Sequence, residues 1–307
     1  MPLPSCARII FPLAAFVCVC SCSHTTSQQP PPPKPPLEFI GAWGTRGDGP
    51  GQLQLPVTLT TDAFGNVFIA DQESKFIHKF DPSGRPLLAF EVQGSKNAHS
   101  IAVDSGGAIY LGSPGGGISI FLPNGDFLRT VRGLKAPADA LAVDQEGNIY
   151  SLSVSGFLQK LSPRGKSLGI WGKRRESKGE FAYPTALALS ADGFLYVADM
   201  GNYRIQKLTR EGEFAALWHL SAAEDVEPPA ITGLATYKDF LFLLVLHQGQ
   251  YMLEVWSLDG KQILSDPLGG RLNPAGKVAP CIATSPKGEL LVLDAVNARV
   301  LRFRINL

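Results

Sequence analysis

The chain has 307 residues, with 28 basic and 27 acidic side chains and a formal charge of +1. That balance leaves no electrostatic footprint for nucleic acid or for anionic lipid. Its 32 glycines, 24 prolines and 45% hydrophobic residues suit short strands joined by tight turns around a large core, and with Cys281 the one cysteine beyond Cys22, no disulfide framework holds the body.

Arg8 precedes Ile9 to Val19, an uncharged, mostly apolar run of 11 residues. A membrane span needs about 20 such residues, so the run fits the apolar region of an export signal. Val19-Cys20-Ser21-Cys22 follows, and small Ser21 before Cys22 contrasts with the valines before Cys18 and Cys20. The stretch resembles a bacterial lipobox, with Cys20 irregular at its position. The resemblance implies a lipoprotein signal peptide at 1–21, lipid attachment at Cys22 and a lipid-anchored, extracytoplasmic place in the bacterial cell envelope. An ordinary secretory signal cut near Ser23, giving a soluble secreted protein, is the alternative. Residues 22–36 turn from polar to proline-rich, Pro30 to Pro36 holding six prolines and one lysine. This composition favours an extended spacer rising about 3.1 Å per residue.

From residue 37 a period of about 40 to 50 residues runs to residue 307. Its landmark is an apolar run, a turn ending in Gly and a second apolar run. It spans Leu59 to Ile69, Ile101 to Leu111, Leu141 to Tyr150, Leu187 to Val197 and Ile282 to Val292, with a degenerate copy at Leu234 to Phe242. Asp or Ser opens the turn and Gly supplies a positive φ, while the flanking runs are too short for helices. A second turn carries Gly84, Gly125, Gly165, Gly212 and Gly260. Each row then holds four strands, which is one propeller blade.

The sixth row stops after its third strand, Val300 to Ile305, while Glu38 to Trp43 is spare at the front. Trp43-Gly44, Gly51 and Pro56 repeat the offsets of Trp171-Gly172, Gly179 and Pro184. The N-terminal strand therefore completes the last blade and removes an exposed edge. The expected fold is all-β, a six-bladed β-propeller of four-stranded antiparallel blades.

Ala198 to Leu208 and Leu293 to Phe303 resemble the NHL repeat, and Ala70 to Ile77 matches its start, with Phe76 where the others have Arg204 and Arg299. The resemblance implies a six-bladed propeller and leaves the function open. Asp199 and Arg204, like Asp294 and Arg299, are expected to pair across their loop. For Asp71 either Lys75 substitutes or the carboxylate is free for a ligand.

The expected inner strands are apolar or small, with Asp104 and Asp144 at their turn ends, and show no oxygen cage for a hard cation. His24, His78, His99, His219 and His247 do not recur at equivalent blade positions, so no zinc triad is expected. Lys173-Arg174-Arg175 reads as a solvated loop. Cys281 reads as a small buried hydrophobe, and Leu241 to Leu246 as a buried strand or a partner-facing patch. The expected function is a monomeric binding or scaffold propeller for a protein, peptide or glycan, without cofactor, metal or catalytic residues. Its contacts are assigned to Lys75, Tyr183, Asn202, Arg204, Asn297 and Arg299. The alternative is a lyase or lactonase-like enzyme working at the central channel, where His99 is the one histidine that could serve.

Overall fold

The computed structural model describes residues 36–92, 98–113, 115, 117–220, 229–276 and 278–307. The expected signal segment, Cys22 and the spacer up to residue 35 lie outside the described residues. Twenty-four strands form six four-stranded antiparallel sheets, and the only helical elements among the described residues are two three-residue turns, Met200–Asn202 and Leu268–Gly270. The inner strands of blades 1 to 6 are Pro56–Thr61, Ser100–Val103, Ala140–Val143, Pro184–Leu189, Ala230–Tyr237 and Cys281–Ser285. They contact one another in cyclic order and close the ring.

The leading strand, Leu37–Trp43, pairs antiparallel with Arg299–Ile305, setting Leu37 against Ile305 and Trp43 against Val300 across a bulge at Ile40. It is the fourth strand of blade 6, as the spare-strand reading expected.

The first hairpin turn of a blade is fixed by its opening side chain. The Asp62 carboxylate accepts the N–H groups of Phe64 and Asn66, Asp104 those of Gly106 and Ala108, and Asp144 those of Glu146 and Asn148. Tyr110 and Tyr150 donate their hydroxyls to the same Asp104 and Asp144. The two aspartates at the strand ends are therefore turn formers. Blade 5 departs from the pattern because its first three strands are eight residues long and turn at left-handed Lys238 and Gln248. Its apolar run is a buried strand, Leu241 to Val245 being at most 1% exposed, so it is no partner-facing patch.

The core consists of six wedges, one between each pair of neighbouring blades. Ile69 and Phe80 of blade 1 meet Leu291 and Val300 of blade 6, for example, and Tyr150 and Leu158 of blade 3 meet Leu187 and Val197 of blade 4. A second contact repeats at the outer rim. In five of the six blades a side chain late in the fourth strand lies against the glycine of the next blade's second turn; blade 6 has no second turn to receive one from blade 5. A Cβ on Gly84 would stand 2.3 Å from Trp43, on Gly125 2.7 Å from Phe90, on Gly165 2.9 Å from Val131, on Gly212 2.1 Å from Trp171 and on Gly260 1.6 Å from Trp218. All five glycines have φ between 78° and 92°, so the turn needs glycine for conformation and the neighbour needs it for room.

Gly212→Ala is expected to lower stability by about 3 kcal/mol, from left-handed strain plus overpacking. Adding Gly212→Ala to Trp171→Ala should cost only about 1 kcal/mol, because the indole that the methyl would strike is gone. Urea denaturation of the three variants measures both terms, and full additivity would contradict the contact.

Candidate functional site

One face of the ring carries the loops between second and third strands together with the connections between blades. In blade 4 this face is organised by Asp199, fully buried. Its Oδ2 accepts from Arg204 Nε at 2.7 Å, Asn202 Nδ2 at 2.8 Å and Gln206 Nε2 at 2.9 Å, and its Oδ1 from the Ala182 N–H at 2.6 Å. Arg204 also donates from Nη2 to the carbonyls of Ser177 and Glu180, and Asn202 to that of Arg175. The pair thus ties its loop to the preceding connection. In blade 6, Asp294 Oδ2 accepts from Asn297 Nδ2 at 2.7 Å and Arg299 Nε at 2.8 Å, while Arg299 Nη2 donates to the Arg271 carbonyl at 3.0 Å.

Blade 1 answers the question of Asp71 differently from both expectations. Its carboxylate accepts the backbone N–H groups of Gln54, Leu55, Glu73 and Ser74, so it is neither paired with Lys75 nor free for a ligand. Lys75 instead occupies the left-handed position, φ 64°, that Tyr203 and Ala298 hold in the equivalent loops.

The remaining candidates divide between two places. Tyr183, 52% exposed, lies under the Arg174 guanidinium at 4.0 Å, so it stands with Asn202 and Arg204 around the basic 173–183 connection. Asn297 and Arg299 line a cleft of about 520 Å³ together with Gln250, Tyr251, Arg271 and Asn273. Lys75 lines neither this cleft nor the central channel. Sequence reasoning did not single out Arg271, Tyr251, Gln250 or Asn273. Arg271 and Asn273 come from the non-repeating connection before blade 6, which has no counterpart to align against.

The channel, about 420 Å³, is lined by all six inner strands. Hydroxyl-to-carbonyl bonds cross between neighbours at one end: Thr61 to Thr284 at 2.8 Å, Thr284 to Thr236 at 2.7 Å and Thr236 to Leu189 at 3.0 Å. The matching positions in blades 2 to 4 are Val103, Val143 and Leu189. At the other end His99 Nδ1 stands 3.5 Å from Asp139 Oδ1, and Asp139 Oδ2 accepts from Ser153 Oγ and the Val154 N–H. Asp139 was not singled out from sequence either. Cys281 also lines the channel, and burial pushes its thiol up to about 11.

The other histidines lie apart. His78 sits in a third strand, where burial holds its imidazole below the ordinary value against the attraction of Asp71. His219 ends an outer strand, and His247 ends the second strand of blade 5, with its Nε2 buried and unpartnered. No group of three metal-ligating side chains converges among the described residues.

Residues 181–208, the segment built around Asp199 and Arg204, match the NHL repeat. The chain carries an NHL repeat. Over an alignment of 165 residues that takes in 49% of this chain, it is 26% identical to the human E3 ubiquitin-protein ligase TRIM32, and the match covers 22% of that protein's length. Among solved structures, a streptogramin B lyase superposes with a TM-score of 0.60 at 15% identity, covering 88% of this chain and 97% of the lyase. A catalytically inactive variant of virginiamycin B lyase from Staphylococcus aureus, a histidine replaced by alanine and quinupristin present, gives 0.55 at 15% identity, covering 82% of this chain and 85% of that one. These likenesses are of fold.

Arg204→Ala is expected to destabilise by about 3–5 kcal/mol, because it strands a buried carboxylate. Arg299→Ala should cost clearly less, since its side chain is 35% exposed, so its removal opens Asp294 to water, and Asn297 still donates to that carboxylate. Urea midpoints of the two variants measure the difference, and equal losses would contradict the assignment.

Proposed function

We propose that the chain is a lipid-anchored, extracytoplasmic binding propeller that presents the connection face of its ring to a protein, peptide or glycan of the bacterial cell envelope. The observation that carries this reading is the cleft between blades 5 and 6. Two residues expected to make contacts, Asn297 and Arg299, meet Arg271 and Tyr251 there in a concave, polar site. The other expected contacts serve the same face in different ways. Tyr183 offers an exposed ring, Lys75 an exposed cation, and Arg204 and Asn202 hold the loops beneath. The near-neutral charge supports a partner other than nucleic acid. The propeller acts as a monomer without cofactor or metal, and Cys22 with residues 22–36 supplies the anchor and the reach.

The full chain, recovered from membranes, tests both halves of this reading. A palmitate analogue should label the wild type and not Cys22→Ser, and unchanged labelling would remove the anchor. A reproducible envelope partner should be retained by wild type and by Lys287→Ala on the opposite face. It should be lost by Arg271→Gln with Asn297→Ala. Equal retention by all three would overturn the connection face as the binding surface.

A second reading, a lyase-type propeller enzyme, is favoured by one observation: the His99–Asp139 pair at the channel mouth, on a fold shared with two lyases. Turnover of a lactone-containing peptide, abolished by His99→Ala and kept by Arg271→Gln, is its expected outcome. No turnover by the wild type discards it.

A further inference from the structure

The cleft between blades 5 and 6 is built around a guanidinium without a counter-charge. Pro267 leads into three successive residues with left-handed backbone, Leu268 at φ 53°, Gly269 at 55° and Gly270 at 69°. This curl brings the Leu268 carbonyl back to accept from Arg271 Nη1 at 2.7 Å. Leu268 is itself buried and not glycine, so its strained backbone is held in place by packing in the core. The curl also needs Gly269, where a Cβ would stand 2.6 Å from Arg271 Nη1. From the other side the guanidinium lies on the Phe39 ring at 4.5 Å. Arg271 is therefore oriented twice over, yet among the described residues no carboxylate pairs with it. The nearby acids are committed elsewhere: Asp266 Oδ1 accepts the Leu268 N–H, and Asp294 is taken by Asn297 and Arg299.

The neighbouring side chains have spare hydrogen-bonding capacity of both signs. Asn273 uses its Oδ1 on the Ala275 N–H and keeps its two amide donors. Asn297 uses its Nδ2 on Asp294 and keeps its Oδ1 as an acceptor. Gln250, an exposed residue, lies on the rim of the cleft. Amides that offer donors and acceptors side by side match vicinal hydroxyl groups, each of which both donates and accepts. A planar guanidinium held in a fixed plane matches a carboxylate through two parallel bonds.

We propose that this cleft binds an acidic sugar, its carboxylate on Arg271 and its ring hydroxyls on Gln250, Asn273 and Asn297. The inference rests on the binding reading and names the ligand class for one part of that face. Three amide side chains and a guanidinium without a counter-charge outnumber the apolar side chains exposed there, Pro267 and Pro274, and that favours a polyhydroxylated acid over an apolar peptide.

Calorimetric titration of the full chain with D-glucuronate, D-glucose and trialanine tests it. Glucuronate should bind at least about tenfold more tightly than glucose, which has the same ring without the charge, and the preference should shrink as salt is raised. Arg271→Gln should abolish the preference, and Arg271→Lys should restore only part of it because the fork is lost. Gly269→Ala, which touches no ligand, should weaken glucuronate binding by displacing the guanidinium. Circular dichroism and the urea midpoint establish that each variant is folded. Absence of glucuronate binding, equal affinity for glucose, an unchanged preference in Arg271→Gln, or trialanine binding as tightly would each overturn the proposal. If glucuronate fails while the Arg271→Gln, Asn297→Ala double variant still loses its envelope partner, the ligand class falls and the binding face stands. If the double variant also keeps its partner, both fall.

Discussion

The pairing of Leu37–Trp43 with Arg299–Ile305 is the constraint on which the rest of the structure depends. A four-stranded blade is too thin to cover its own faces, and here every hydrophobic cluster lies between two blades. A wedge core of this kind is complete only when each blade has a neighbour on both sides. Were the leading strand absent, Trp43 would leave the wedge between blades 6 and 1, the turn at Gly84 would lose its contact, and the sheet of blade 6 would end on an open edge. The chain meets that requirement by pairing Leu37–Trp43 with its last strand, and among the described residues no disulfide reinforces the join.

The repeat was legible in the sequence because turn chemistry is written in single residues. Asp62, Asp104 and Asp144 open their hairpins with carboxylate-to-backbone bonds, and glycines with positive φ close them. Blade 5 read as degenerate for a physical reason: its turns place Lys238 and Gln248 in left-handed conformations without the usual Asp-to-Gly frame. The pairing of Asp199 with Arg204 and of Asp294 with Arg299 followed from spacing alone. Asp71 did not, because its partners are backbone N–H groups and carry no mark in the side-chain pattern.

The candidate site was legible only in part. Asn297 and Arg299 belong to the repeat and could be found by aligning rows, whereas Arg271 belongs to a connection whose path is set by the curl at 268–270. Asp139 became visible once the ring brought it beside His99, 40 residues away in the chain. The repeat supplies a scaffold on which every blade looks alike, and the connections between blades, free of its pattern, are where individual chemistry enters.

The threonine bonds at one end of the channel give the ring a mechanical asymmetry. Thr61, Thr284 and Thr236 lash blades 1, 6, 5 and 4 into a continuous arc, while Val103 and Val143 leave blades 2 and 3 held at that level by dispersion alone. The seam within blade 6, where Leu37–Trp43 meets Arg299–Ile305, falls inside the lashed arc. Blade 6, the one blade assembled from two distant stretches of the chain, is thus tied on both flanks, to blade 1 through Thr61 and to blade 5 through Thr284, whereas along the channel blades 2 and 3 are joined at its opposite end, by Ser100 Oγ donating to the Ala138 carbonyl.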